Sequence, residues 1–372
     1  MKTAICHSLG IDMPIFAFSH CRDVVAEVTK AGGMGVLGIS GFTVEQLAQE
    51  LDWLDTHTNG LPYGVDLLMP NNYQDVGHKK LDRDAILPKD VVDFMNRKLD
   101  EAGIARLPEN ERDAMLRSED EHTNVGTAEA AKLFDLALQH PRVKLVVSAL
   151  GTPSKHFIDL AHEHGVLVGA LVGKVEHALA QKAAGVDMLI AQGMEAGGHT
   201  GSLTSMVLWP QIVDAVAPMP VLAAGGIGRG RQMAAAMALG AEGVWCGSVW
   251  LGTRESELQP GLKQRLFDAR SEDALQTRAH SGKPMRALRS KYSDVWNEPG
   301  APSPLPMPLQ FILNHESTLR IKRAGAVDWM FYPVGQIVGD MKQETSVRQV
   351  IYEFMEEFIT TTDRLQALVA EA

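Results

Sequence analysis

The run AQGMEAGGHTG, from Ala191 to Gly201, concentrates groups that chemistry needs. His199 is a side chain that exchanges a proton near neutral pH. Gln192 carries an amide able to hydrogen-bond the edge of a heterocycle, and Gly197 and Gly198 let a flat molecule approach the main chain closely. A solitary histidine is more often structural. The glycines around this one leave it little local core to pack into, which points to proton transfer. Two further runs, AAGGIGRGRQM (Ala223–Met233) and WCGSVWL (Trp245–Leu251), offer anion donors. Gly225 and Gly226 open a helix and can turn N–H groups toward a phosphate, while Gly247 and Ser248 add N–H and hydroxyl donors. One GGIG is weak evidence on its own; two such loops in one chain favour a phosphate-bearing ligand over mere tight turns.

Such loops act together only if the fold brings them to one end of a sheet. The sequence supplies the means. A helical stretch ending in Gly and followed at once by an apolar run recurs at Ala26–Ser40, Ala178–Gly193 and Met233–Ser248, with each Gly placed for a left-handed helix cap. Strands are expected at Pro14–Phe18, Val36–Ile39, Tyr63–Leu68, Val143–Ser148, Val166–Leu171, Met188–Ala191, Val221–Ala224 and Gly243–Cys246. Eight strands alternating with helices imply an α/β fold, a (β/α)8 TIM barrel, whose active site gathers at the C-terminal ends of the strands. The histidine loop then follows the sixth strand, and the glycine loops follow the seventh and eighth, the usual phosphate site of such barrels.

Residues 1–251 are read as this barrel. A charged helical insertion (70–124, with helices at Val91–Glu101 and Glu109–Ser118) interrupts it after the third strand, as a lid, a passive decoration or a subunit contact. Residues 252–372 are read as an extension packing over the barrel mouth, ending in a helix at Val347–Val369.

The formal net charge of -11 argues against a nucleic-acid or anionic-membrane surface. No apolar leader or membrane span stands out, so a cytoplasmic protein is expected, and a homo-oligomer is compatible with everything here. Cys6, Cys21 and Cys246 form no CxxC pair, which speaks against a disulfide framework and a cysteine-built metal site. His162 and His164 are read as surface residues and Cys246 as core. His20 and Cys21 are neighbours at a strand end, where consecutive side chains diverge, so a nucleophile–base pair is not expected.

The ordered loops AQGxEAGGHxG, AAGGI and GS resemble the nitronate monooxygenase (2-nitropropane dioxygenase) family. They equally resemble its relatives, the FMN-dependent enoyl-acyl-carrier-protein reductases and NADH:quinone reductases. The similarity covers residues 10–70 and 143–255. It implies an FMN cofactor contacted by Gln192, Gly197 and Gly198, with its phosphate held by Gly225, Gly226, Trp245, Cys246, Gly247 and Ser248. It makes His199 the catalytic residue facing the ring, and Gly335 and Gln336 match a Gly-Gln pair carried by family members near the chain end. Two positions depart from the pattern. Ala17, Phe18 and Ser19, in the run AFSHCRD, stand where the family has Ala-Pro-Met-Ala-Gly beside the flavin, and Asp66 replaces an Asn. An Asp offers a hydrogen to the ring only when protonated.

The expected reaction is oxidation of alkyl nitronates, or of the neutral nitroalkanes, by O2 to carbonyl compounds and nitrite. The rival is an NAD(P)H-dependent reductase of an enoyl thioester or a quinone. No GxGxxG with a following acid marks a nicotinamide domain, which leaves direct stacking of the nicotinamide on the flavin as that rival's route. A third class, a barrel that binds a phosphorylated ligand without flavin, would purify colourless.

Overall fold

The computed structural model describes residues 2–68, 83–122 and 127–370. Its strands are, in chain order, β1 (Ile15–Ser19), β2 (Met34–Gly38), β3 (Tyr63–Leu67), β4 (Val143–Ser148), β5 (Leu167–Val172), β6 (Met188–Gln192), β7 (Gly198–His199), β8 (Val221–Ala224), β9 (Gly243–Cys246), β10 (Ala274–Thr277) and β11 (Met285–Leu288). Strands β1 to β6, β8 and β9 close into a parallel barrel, with β9 pairing back onto β1. All eight barrel strands lie within two residues of the ends expected from the sequence. The glycine caps act as read: Gly185 ends its helix at φ 96° and Gly240 follows its own at φ 95°.

Strand parity sorts the side chains. Tyr63, Val65 and Leu67 of β3 face the surrounding helices, as do Ala17 of β1 and Cys246 of β9, so the alternate residues face the lumen. The lumen is filled near its base by Phe16, Met34, Leu145, Met188 and Leu222, together with Ile5, Cys6 and Leu9 from the short helix Ala4–Leu9, which plugs it. By the same parity Phe18, Asp66, Gln192 and Trp245 form the uppermost inward layer, at the strands' C-terminal ends. Phe18 and Trp245 stack there at 6.1 Å and 24°.

A second core lies outside the barrel. Val91, Phe94, Met95 and Leu99, from the insertion helix Lys89–Glu101, bury themselves against Tyr292, Trp296, Leu313, Ile321, Trp329 and Met330 of the extension. Arg320, 1% exposed on the helix Leu309–Arg323, reaches back into the insertion. It donates to Asn96 Oδ1 (2.7 Å), Asp100 Oδ1 (2.6 Å) and the carbonyl of Ile104 (2.6 Å). Arg112, on the insertion helix Glu109–His122, pairs with Glu316 at 2.6 Å. Insertion and extension thus build one cap. Residues 69–82 and 123–126, where the insertion joins the barrel, lie outside the described residues.

The cap is stitched to the histidine loop by a small antiparallel sheet in the order β10-β11-β7, in which Met285 pairs with His199 and Arg286 with Gly198. The terminal helix Val347–Ala370 lies on the helix Gly230–Ala238 that follows the β8 loop. A Cβ on Gly230 would stand 2.0 Å from the carbonyl oxygen of Phe354, so only glycine allows that approach. Glu357 of the terminal helix receives hydrogen bonds from both Arg229 and Arg231 beside it.

Candidate active site

Three loops meet over the upper lumen layer. The β6 loop is held down by Glu195, whose carboxylate accepts from Ser205 N (3.0 Å) and Ser205 Oγ (2.8 Å) at the start of the helix Ser205–Val216. Ser205 Oγ also lies 3.0 Å from the carbonyl of Gly225, its one hydrogen shared between the two acceptors, which ties the β6 and β8 loops together. The extension enters at Gly335. Its N–H donates to Ser248 Oγ (2.8 Å), the Gln336 N–H donates to the Glu195 carbonyl (2.9 Å), and a Cβ on Gly197 would lie 2.9 Å from the Gly335 nitrogen. The Gly-Gln pair therefore binds the β6 and β9 loops to each other through its main chain.

At the phosphate end, Gly225 and Gly226 both adopt positive φ (100° and 70°), a turn that glycine takes without strain. Among the described residues, the N–H groups of Gly226, Gly247 and Ser248 have no acceptor, and all three residues are half-buried. Ser248 Oγ accepts from Gly335, which leaves its O–H free to donate. This donor set suits a dianion.

At the ring end, the Gln192 amide and the Asp66 carboxyl are inward, polar, and without a hydrogen-bond partner among the described residues. Burial holds the Asp66 carboxyl well above the usual carboxylate range. Gly198, at φ 82°, would meet no atom within 4 Å if it carried a Cβ, so the loop opens there onto space. A planar heterocycle with hydrogen-bonding edges and one phosphate fits these groups.

His199 stands on β7. Its Nε2 lies 2.8 Å from Ser281 Oγ. Burial, then the nearby Lys283 ammonium, push its pKa below the ordinary imidazole value, favouring the neutral base at pH 7. His20 is likewise pushed down by burial, and its Nδ1 meets the Gly38 carbonyl at 3.0 Å. Both rings are hemmed in by neighbouring atoms yet keep an accessible face, as side chains lining a concave mouth do. Behind His199 the cap supplies His280, pushed down to about 3 chiefly by burial, then by His199 and His315. His280 stacks on Phe331 at 4.1 Å and meets Asn314 Nδ2 at 2.6 Å.

The structure brings His199, Phe18, Asp66, Gln192, Gly197, Gly198, Gly225, Gly226, Trp245, Gly247 and Ser248 to one mouth. Ala17 and Cys246 turn their side chains outward into the core between barrel and helices, leaving only their main chain for a ligand. Ser19 uses its hydroxyl to accept from Cys21 N at 3.1 Å. His20 and Cys21 diverge: Cys21 Sγ donates to the Glu255 carbonyl at 3.1 Å, and burial pushes its thiol up. Cys21, Asp23 and Glu257 are the group with metal-ligand spacing among the described residues, but a protonated, already bonded thiol is a poor ligand. His162 is paired with Asp187 at 2.9 Å on the surface. Sequence reasoning missed Ser281, Lys283 and His280. Their run, RAHSGK, shows no local pattern, and only the β11–β7 pairing carries it to His199.

The model of the family described as "Nitronate monooxygenase" matches residues 10–357 of this chain. The chain belongs to the nitronate monooxygenase family. Its similarity to a protein from Mycobacterium tuberculosis whose name calls it a monooxygenase reaches 45% identity, over 99% of this chain and 100% of that one. Among solved structures, nitroalkane oxidase from Streptomyces ansochromogenes is 27% identical with a TM-score of 0.77, covering 98% of this chain and 100% of that one. FabK from Thermotoga maritima is 26% identical with a TM-score of 0.74, covering 99% of each. As a member of this family the chain is an oxidoreductase on a TIM barrel. Among the described residues no helix is long and apolar enough to cross a membrane.

Proposed function

We propose that the chain binds one FMN at the barrel mouth and uses it to oxidise alkyl nitronates, and the parent nitroalkanes, with O2, giving carbonyl compounds and nitrite. The observation that carries this reading is His199: a neutral imidazole with an open face, above unpaired polar groups in the lumen and beside an N–H cradle. The family and the resemblance to a nitroalkane oxidase support the substrate class. FMN suits the site because the glycine loops offer one terminal phosphate cradle, with no second element for an adenosine among the described residues.

When bound, the flavin supplies the two-electron redox chemistry that no side chain here can perform. The protein's own residues do the rest. Gly226, Gly247 and Ser248 hold the phosphate and so fix the ligand's position. Gln192 and Asp66 meet the heterocycle's edge, and the Phe18–Trp245 stack walls one side of the layer. His199 holds the nitronate oxygens by hydrogen bond, or takes the proton from the carbon of a neutral nitroalkane. Burial and Lys283 keep it unprotonated for that second task.

Acid precipitation of the purified protein, followed by chromatography of the supernatant, tests the cofactor. About one FMN per chain is the expected result; FAD, or no flavin after reconstitution, contradicts it.

A further inference from the structure

Asp66 stands at the lumen end of β3, in register with Gly38 of β2 and Val147 of β4, and is 5% exposed. A carboxylate buried to that degree ordinarily meets a cation or several N–H donors. This one meets neither among the described residues. On the β2 side the His20 ring lies against Gly38, where a Cβ would stand 2.6 Å from it. His20 bonds the Gly38 carbonyl through Nδ1, so that nitrogen carries the hydrogen and Nε2 is left as an acceptor. On the β4 side Val147 is apolar, and across the lumen stand Phe18, Trp245 and the neutral Gln192. The charged and titratable groups packed on β3 from outside, the Tyr63–Asp55–His140 chain, lie on the opposite face of the sheet. Among the described residues of the upper lumen layer, His20 is the titratable group next to Asp66's strand, and burial pushes its pKa down.

We propose that Asp66 meets the ring of the mouth ligand as a carboxylic acid, donating its own hydrogen, so that filling the barrel mouth requires a proton to be kept at this residue. The proposal rests on the flavin reading above. With the His20 Nε2 lone pair beside it, the lumen then offers a donor and an acceptor to a heterocycle edge that presents both C=O and N–H groups. An amide at this position would do the same at every pH; a carboxyl does so only while protonated. The raised pKa of the buried acid is in keeping with this. The hydrogen comes from solvent when the site fills at high pH, and returns to it when the site empties.

Binding of FMN to the flavin-stripped full-length chain, followed by quenching of flavin fluorescence from pH 7 to pH 10, tests the proposal. In this range the FMN phosphate, whose second pKa is about 6, is already a dianion for every variant. The wild type should lose affinity as pH rises, approaching tenfold per pH unit beyond the midpoint. Asp66→Asn should bind with an affinity that stays flat across the range. Proton uptake by the wild type on binding FMN in weak buffer, read with an indicator dye, should rise toward one per site with pH, and needs no variant to fold. Parallel pH profiles for the two proteins, or no proton uptake across the range, overturn the proposal while leaving FMN binding standing. Absence of FMN binding at every pH overturns the cofactor reading and this proposal with it.

Discussion

The barrel mouth and the cap contribute to the same site by different means. The barrel presents main-chain donors and inward side chains that follow directly from strand parity and from glycines a few residues past each strand end. The cap presents side chains carried in from far along the chain: Ser281 lies 82 positions from His199, and Arg83 of the insertion meets His315, 232 positions away. The difference separates two tasks. Local barrel geometry is suited to holding a ligand, whereas the cap sets the protonation and orientation of His199.

That division can be broken first at the β8 loop. Gly226→Asp places a carboxylate where N–H groups should meet a phosphate, at a backbone φ of 70° that strains any side chain. FMN affinity should fall by about 10²-fold or more through repulsion and lost donors, while circular dichroism reports an intact fold. Gly226→Ala carries the strain without the charge and should lose much less. Retention of FMN by the Asp variant at parental affinity would place the phosphate elsewhere.

His199→Asn should do the reverse, keeping the flavin and losing the chemistry. Loss of kcat/KM on a neutral nitroalkane should be on the order of 10²-fold or more, because Asn cannot take a proton near pH 7. With the preformed nitronate the loss should be milder, reflecting a weakened hydrogen bond to its oxygens. Equal losses on both substrates would make His199 a binding residue only.

Acid should loosen the cap through His280. Its folded-state value, about 3, lies below the roughly 6.5 of an unfolded histidine. The stability it contributes is therefore present above pH 6.5 and is lost as pH falls toward 3. The loss approaches about 1.4 kcal/mol per pH unit, on the order of 2 kcal/mol at pH 5. Hydrogen exchange at pH 7 and pH 5 should show helix Leu309–Arg323 losing protection before the barrel strands. Replacement by a neutral isostere, His280→Phe, should flatten that response. Uniform loss over barrel and cap would dissolve the distinction between them.

The smallest effect falls at Ser281. Removing its hydroxyl, as in Ser281→Ala, deletes one hydrogen bond to His199 Nε2, worth about 1 kcal/mol. A kcat lowered by roughly fivefold to tenfold, with a shifted pH profile and unchanged FMN content, is expected. An effect confined to KM would assign Ser281 to substrate contact.

The barrel was largely legible in the sequence because its signals are local. Apolar runs, three of them directly after a Gly-ended helix, placed the eight strands to within two residues, and Gly225, Gly226 and Gly247 announced their loops by composition alone. The upper lumen layer was partly legible: parity confines Ala17 and Cys246 to main-chain contact, although both were grouped with their inward neighbours Phe18 and Trp245. The shared core of insertion and extension was not visible. Val91, Phe94 and Leu99 form an apolar helix face, but nothing local tells that face to seek Trp296 and Ile321 some 200 positions on. The β10–β11 pair escaped for a similar reason: four-residue strands joined by a turn, one of them completed by two residues of the histidine loop.

The central claim, that this mouth passes electrons from a nitronate to a bound flavin, is tested most directly by the visible spectrum of the purified protein under anaerobic conditions. The protein should be yellow, bleach on addition of an alkyl nitronate but not of NADH or NADPH, and regain its colour on admission of air with release of nitrite. A flavin that NAD(P)H bleaches rapidly while nitronate and nitroalkane leave it untouched would contradict the account and favour a reductase.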